Sequence, residues 1–169
     1  MSELQAGIVG FDITSEIHPE YGAWGTTPSL TSVDMPLLAR CIVLDDGRER
    51  LVWFGSDLCG NPVHEVATFR DEVADDLGLR REQIVWSTSQ THSSPTVPGS
   101  NVPGGSGNTT RGQYDAEYCA AQRRKWIGSY KEAAREAVAR LQPVDVWVGQ
   151  GYCDSMSYNR RFPMPTGGV

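Results

Sequence analysis

The chain has 169 residues, of which 39% are hydrophobic and 21% charged, and carries a formal net charge of −6 at pH 7. That length supports one globular domain with a real core. The acidic balance argues against a nucleic-acid partner, which needs a concentrated basic face, and no apolar stretch approaches the ~20 residues of a transmembrane helix. Arg123-Arg124-Lys125 is the nearest thing to a basic run, and it reads as the solvated face of a helix.

The first element is "AGIVGFDIT", residues 6–14, an apolar run rich in β-branched side chains that predicts a strand. The stretch after it carries two prolines and two glycines with no period, and reads as a loop. Residues 38–44 and 50–54 are apolar runs joined by Asp45-Asp46-Gly47, a hairpin signal. Asn61-Pro62 suits the opening of a helix, because Asn can cap free N–H groups and Pro fits the first turn. Val66, Phe69, Val73 and Leu77 then recur at helical spacing until Gly78 stops them.

Residues 84–87 predict a buried strand, and residues 116–141 a second helix that Pro143 ends. Its expected inner face is marked by Cys119, Trp126, Ile127, Tyr130, Ala134, Val138 and Leu141. "VDVWVGQGY", residues 144–152, alternates like a final strand. Together these elements predict an α/β fold, a mixed β-sheet layered with helices, in a single domain over residues 1–169. Cys41, Cys59, Cys119 and Cys153 form no CxxC pair, so they are expected to be free and mostly buried thiols. The first residues, "MSELQ", lack the basic start and apolar core of a secretory signal, and a cytoplasmic location is expected. A mature secreted form stripped of its signal stays open.

The most unusual stretch is "IVWSTSQTHSSPTVPGSNVPGGSGNTTRG", which begins as a core strand, places a histidine near its end and continues as a long irregular loop. Loops that long in compact domains are usually functional or disordered, and ligand sites in α/β sheets collect at the carboxyl ends of strands. His92 is therefore the leading candidate, with Thr91, Ser93 and Ser94 able to orient an imidazole or line a polar pocket. The competing explanation is a half-buried histidine with a satisfied hydrogen bond. His18 and His64 have weaker claims, and Asp12 and Asp57-Leu58-Cys59-Gly60 occupy strand ends that either face a site or merely cap a turn. "GGSGNTTRG" has no following Gly-Lys-Ser/Thr and is not a P-loop. The chain has no GxSxG elbow, and Cys59 has no activating partner in sequence.

Several of these pieces, in this order, resemble the N-terminal catalytic part of the neutral/alkaline (non-lysosomal) ceramidase family. "AGIVGFDIT" resembles that family's opening Gly-x-Gly-x-x-Asp-Ile-Thr strand, and "PLLARCIVLDDG" its Pro-Leu-x-Ala-Arg-x-x-Val-Leu-Asp-Asp-Gly hairpin. "SDLCG" followed by a helix and then "STSQTHSSP" is similar to the strand carrying Thr-His-Thr-His-Ser-Gly-Pro, and "SYNRR" to an Asn-Arg segment. The resemblance implies a zinc amidase acting in sphingolipid metabolism, with the metal polarising the carbonyl and activating a water.

What the resemblance implies for individual residues is uneven. His92 falls on the second histidine of the motif, a polar site position. Gln90 falls on the first, which the resemblance associates with zinc ligation. An amide oxygen is a poor zinc ligand, so His92 taking over as ligand, a metal held differently and no metal all stay open. Arg160 aligns with the family's arginine and would bind a carbonyl or anionic end of the substrate, with Asn159 assisting and Gln90 and Ser93 lining the substrate site. The loop over residues 93–112 would form a wall or a lid. The family draws further ligands from sequence well beyond residue 169, so the stretch is expected to need the remainder of its own catalytic domain. The expected function is hydrolysis of an N-acyl amide, ceramide or a more polar analogue, with that small molecule as substrate and Zn2+ as the cofactor the resemblance implies. The rival is a metal-free relative that binds a polar small molecule without hydrolysis.

Overall fold

The computed structural model describes residues 3–17, 30–60, 63–94 and 116–155. Five strands form one mixed sheet: β1 (Gln5–Asp12), β2 (Leu38–Asp45), β3 (Arg50–Ser56), β4 (Ile84–Thr88) and β5 (Gln142–Pro143), in the order β4-β3-β2-β1-β5. All neighbours are antiparallel except β3 and β4, which are parallel. Helix α1 (Val63–Leu77) makes the crossover between those two, as a parallel pair requires. Helix α2 (Ala116–Ala139) follows β4. The predicted α/β class with a mixed sheet is the one observed.

Local chemistry explains most boundaries. The β2–β3 turn holds Gly47 at φ +79°, while Asp45 Oδ1 accepts from Gly47 N–H at 2.7 Å and Asp46 Oδ1 accepts from Arg48 and Glu49 N–H at 2.9 and 2.8 Å. Those bonds, with Arg50 beside Asp45, hold the carboxyls of Asp45 and Asp46 below the usual carboxylate range. Helix α1 stops at Gly78, which takes φ +66°, and Leu79 N–H caps back onto Ala74 O at 2.9 Å. The proposed cap Asn61-Pro62 lies outside the described residues.

Both helices lie on one face of the sheet. Inward strand positions (Val9, Cys41, Val43, Val52, Phe54, Ile84) meet Phe69 and Val73 of α1 and Trp126, Tyr130, Ala134 and Ala137 of α2. Helix α2 comes so close to β1 that a Cβ on Gly7 would sit 1.9 Å from the Ala137 carbonyl oxygen, which is why position 7 requires glycine. At the centre Phe69 and Trp86 stack at 3.9 Å, and Tyr130 meets Phe11, Phe54 and Phe69 edge-on. The Tyr130 hydroxyl and Ser56 Oγ lie 2.7 Å apart, and Trp86 Nε1 donates to the same Ser56 oxygen at 3.0 Å. The buried phenol is thus satisfied, and burial pushes its pKa up to about 12.

Three expectations need correction. Residues 144–152 do not form a strand: only Gln142–Pro143 pair with β1, and Val146, Trp147 and Val148 are exposed. Their alternation is real in sequence, but a strand exists only where a partner supplies backbone hydrogen bonds, and among the described residues that supply ends with Val144 N–H donating to Leu4 O at 3.0 Å. The three described thiols are not mostly buried either, since Cys41 is buried, Cys59 is half-buried and Cys153 is exposed, while the Cys119 side chain lies outside what the structure describes. Finally, Arg123 is more than a solvated charge, because it bridges to Glu72 at 2.8 Å and Glu65 at 3.4 Å on α1. Among the described residues no helix is long and apolar enough to cross a membrane.

Candidate active site

The carboxyl ends of β1, β3 and β4 and the amino end of β2 share one edge of the sheet. The chain is clipped there from both sides of β2. Ile13 N–H donates to Leu37 O at 2.8 Å and Leu37 N–H to Thr14 Oγ1 at 2.9 Å. Opposite them Asp57 N–H donates to Leu38 O at 2.9 Å, and Asp57 Oδ2 accepts from Leu38 N–H at 3.2 Å. Asp12 Oδ1 accepts from Thr14 N–H at 2.6 Å, and the hydrogen bonds from Thr14 hold its carboxyl below the ordinary range. Both aspartates therefore shape the edge through backbone groups.

A cavity of about 450 Å³ opens at this edge, within the usual size of a small-molecule site. One part of its wall is apolar, formed by Ile17, Leu30, Val33, Met35 and Leu37. The other is polar, with Ser15, Asp57, Thr91, Ser93 and Tyr118. Among the described residues the buried Ser15 hydroxyl has no hydrogen-bond partner, so a hydrogen-bonding capacity is left unspent in this wall. The Tyr118 hydroxyl donates to Glu16 O at 2.6 Å and ties α2 to the segment after β1.

The segment after β4 is anchored on both sides of His92. Ser89 N–H donates to Ser56 O at 3.0 Å, and the fully buried Ser94 accepts from Cys59 N–H through Oγ at 3.2 Å. Between these anchors the chain makes a turn in which Ser93 N–H donates to Thr91 Oγ1 at 3.3 Å. Gln90 enters that turn at φ +59°, and among the described residues no other non-glycine has a positive φ. Such a conformation costs about 1–2 kcal/mol in an L-residue and is held only because the flanking anchors impose it.

Each expected residue can now be placed. Ser93 lines the cavity, as does Thr91. His92 lies between them, exposed, four residues beyond the end of β4 rather than on the strand, and does not line the cavity. Gln90 is exposed on the same turn. Asn159, Arg160, His18 and residues 95–115 of the long loop lie outside the described residues. His64 is exposed at the start of α1, with Nε2 3.6 Å from Glu65, away from the cavity. Among the described residues no group of three or more His, Cys, Asp or Glu side chains comes together to hold a metal. These residues do not by themselves fit a zinc ion.

Sequence reasoning missed the apolar wall. Leu30, Val33, Met35 and Leu37 sit in a stretch without period, and only their type, apolar residues in a loop that should be polar, could have flagged them.

A mixed sheet with helices on one face, and a cavity at the carboxyl ends of its parallel pair, is the arrangement at which α/β proteins collect their ligand sites. The same fold occurs in neutral ceramidases. A ceramidase complexed with C2 superposes with a TM-score of 0.63 at 22% identity over 85% of this chain. Neutral ceramidase from Pseudomonas aeruginosa gives 0.58 at 21% identity, also over 85%. The chain spans 22% of the length of each of those proteins. No protein-family model and no curated protein matches the sequence.

Proposed function

We propose that this chain is a ceramidase-like hydrolase component that cleaves the amide bond of an N-acyl compound, ceramide or a more polar analogue. The observation that carries the reading is the position of the cavity: in a fold shared with neutral ceramidases, it abuts the Thr91–His92–Ser93 turn. Its apolar wall of Ile17, Val33, Met35 and Leu37 suits an acyl substituent, and this favours an N-acyl compound over a wholly polar ligand. The polar wall suits the amide and the amine side.

In this reading His92 swings from its exposed turn to serve either as a metal donor or as the group that moves a proton at the amide nitrogen. Arg160 takes the carbonyl or anionic end with paired hydrogen bonds, and Asn159 assists. Zinc enters as an expectation carried by His92. Gln90 at the neighbouring position is a weak donor, and the remaining donors come from outside the described residues. Polypeptide equivalent to the rest of a ceramidase catalytic domain is the proposed partner.

Metal content tests this reading. Protein purified without chelator together with that partner polypeptide should hold about one zinc per chain, the His92→Ala variant should lose it, and Gln90→His should hold it more tightly. Zinc retained in His92→Ala would move the ligands elsewhere. Its absence from all three proteins would remove the metal amidase.

A further inference from the structure

Among the described residues nothing packs on the face of the sheet opposite the helices, and the strand register orders its side chains into rows. One row runs Gly10, Arg40, Gly55, Ser87 across β1 to β4, and the next runs Ile8, Ile42, Trp53, Val85. Arg40 stands between two glycines. A Cβ at Gly10 would meet nothing within 4 Å, and one at Gly55 would meet only Ser87 Oγ at 3.9 Å. Neither glycine has a positive φ. Neither backbone conformation nor internal packing therefore demands glycine, although each costs about 0.5–1 kcal/mol relative to alanine in a strand. Glycine at such positions marks the close approach of a ligand or another backbone.

Among the described residues Arg40 has no hydrogen-bond or ion-pair partner. Its neighbours' polar atoms are already used: Trp53 Nε1 donates to Ser87 Oγ at 2.9 Å, and that hydroxyl donates to Phe54 O at 3.1 Å. The indole is thereby fixed across β3 and β4, 45% exposed, with its ring left for apolar contact. A cleft of about 330 Å³ lies over these residues, lined by Arg40, Ile42, Trp53, Gly55 and Ser87, with Asp57 at its margin.

We propose that this cleft binds the carboxylate of an aliphatic acid. The Arg40 guanidinium takes the two carboxylate oxygens as a fork, which its planar geometry matches. Bare backbone at Gly10 and Gly55 gives the head group room to reach it. The chain lies along the half-buried Ile42 and on Trp53 in the cleft, and reaches the exposed Ile8 and Val85 of the same row. A dianionic phosphate fits less well, because one arginine faces it and the Asp57 carboxylate repels the second charge. The site meets the cavity beside His92 at Asp57, and it does not depend on the hydrolase reading, since binding is measured without turnover.

Isothermal titration with octanoate and with octan-1-ol tests the proposal. The expected result is saturable octanoate binding, at least about tenfold tighter than octanol, with Arg40→Gln losing about tenfold or more and Arg40→Lys intermediate. Gly55→Val should block octanoate while keeping the thermal midpoint, which separates a filled cleft from a misfolded chain. Equal affinity for octanol and octanoate, or unchanged binding in a folded Arg40→Gln variant, would overturn it. So would sedimentation showing that the bare face is closed by a second copy of the chain and that octanoate binds neither form.

Discussion

On β1, Gly7 and Gly10 lie three residues apart and face opposite sides of the sheet, and they are glycine for opposite reasons. Gly7 is pressed under α2, with the Ala137 carbonyl where its Cβ would be, whereas no described residue comes within 4 Å of where a Gly10 Cβ would sit. The same contrast runs through β3. Phe54 points into the helix-covered face and is fully buried, while its neighbour Trp53 points to the bare face and is 45% exposed. The covered face is a packed core whose residues answer to volume. The bare face is apolar in type but answers to whatever lies against it. Side-chain type alone therefore does not reveal what covers a strand.

Substitutions in pairs across the sheet sharpen that contrast. The largest effect is expected for Phe54→Ala, which should cost about 3–5 kcal/mol of stability in urea unfolding, while Trp53→Ala should cost less than about 1 kcal/mol. Equal losses would mean that the bare face is covered. Gly7→Ala should follow at about 3 kcal/mol, since helix backbone must move to admit the methyl. Gly10→Ala should change stability by no more than about 1 kcal/mol, in the favourable direction. A harmless Gly7→Ala would refute the close approach of α2 and β1.

Tyr130→Phe should cost about 1 kcal/mol at neutral pH, since Ser56 loses one partner and keeps Trp86. It should also alter the alkaline limb. The folded phenol titrates at about 12, against about 10 when unfolded. Unfolding therefore releases a proton between those values, and stability falls as pH rises through that window. Denaturant midpoints from pH 9 to 12 should show this fall in the parent and a shallower one in the variant. The smallest effect is a gain: Gln90→Gly should raise stability by about 1 kcal/mol by relieving the left-handed backbone.

The strands and helices were legible because their signals are local: the Asp45-Asp46-Gly47 turn, the helical spacing of Phe69 and Val73, and the glycine stop at Gly78 each act within a few residues. Residues 144–152 misled for the complementary reason, because alternation specifies a pleated surface and says nothing of a hydrogen-bonding partner. The Thr91–Ser94 turn stood out through composition. Its anchoring by Ser94 to Cys59 N–H and by Ser89 to Ser56 could not be read, since those contacts join positions more than thirty residues apart. The apolar wall at Val33 and Met35 was illegible too, because only the folding of that segment against the end of β1 gives it a face.

The most direct measurement is amide cleavage itself. The protein, supplied with zinc and with its proposed partner polypeptide, is incubated with an N-octanoyl amino alcohol, and released octanoate is followed by mass spectrometry beside His92→Ala and Arg160→Ala. The account predicts release by the parent protein and a loss of at least about 100-fold in His92→Ala, the scale expected for removing a proton-transferring group. No release by the zinc-supplied parent, or release undiminished in a folded His92→Ala variant, would contradict it.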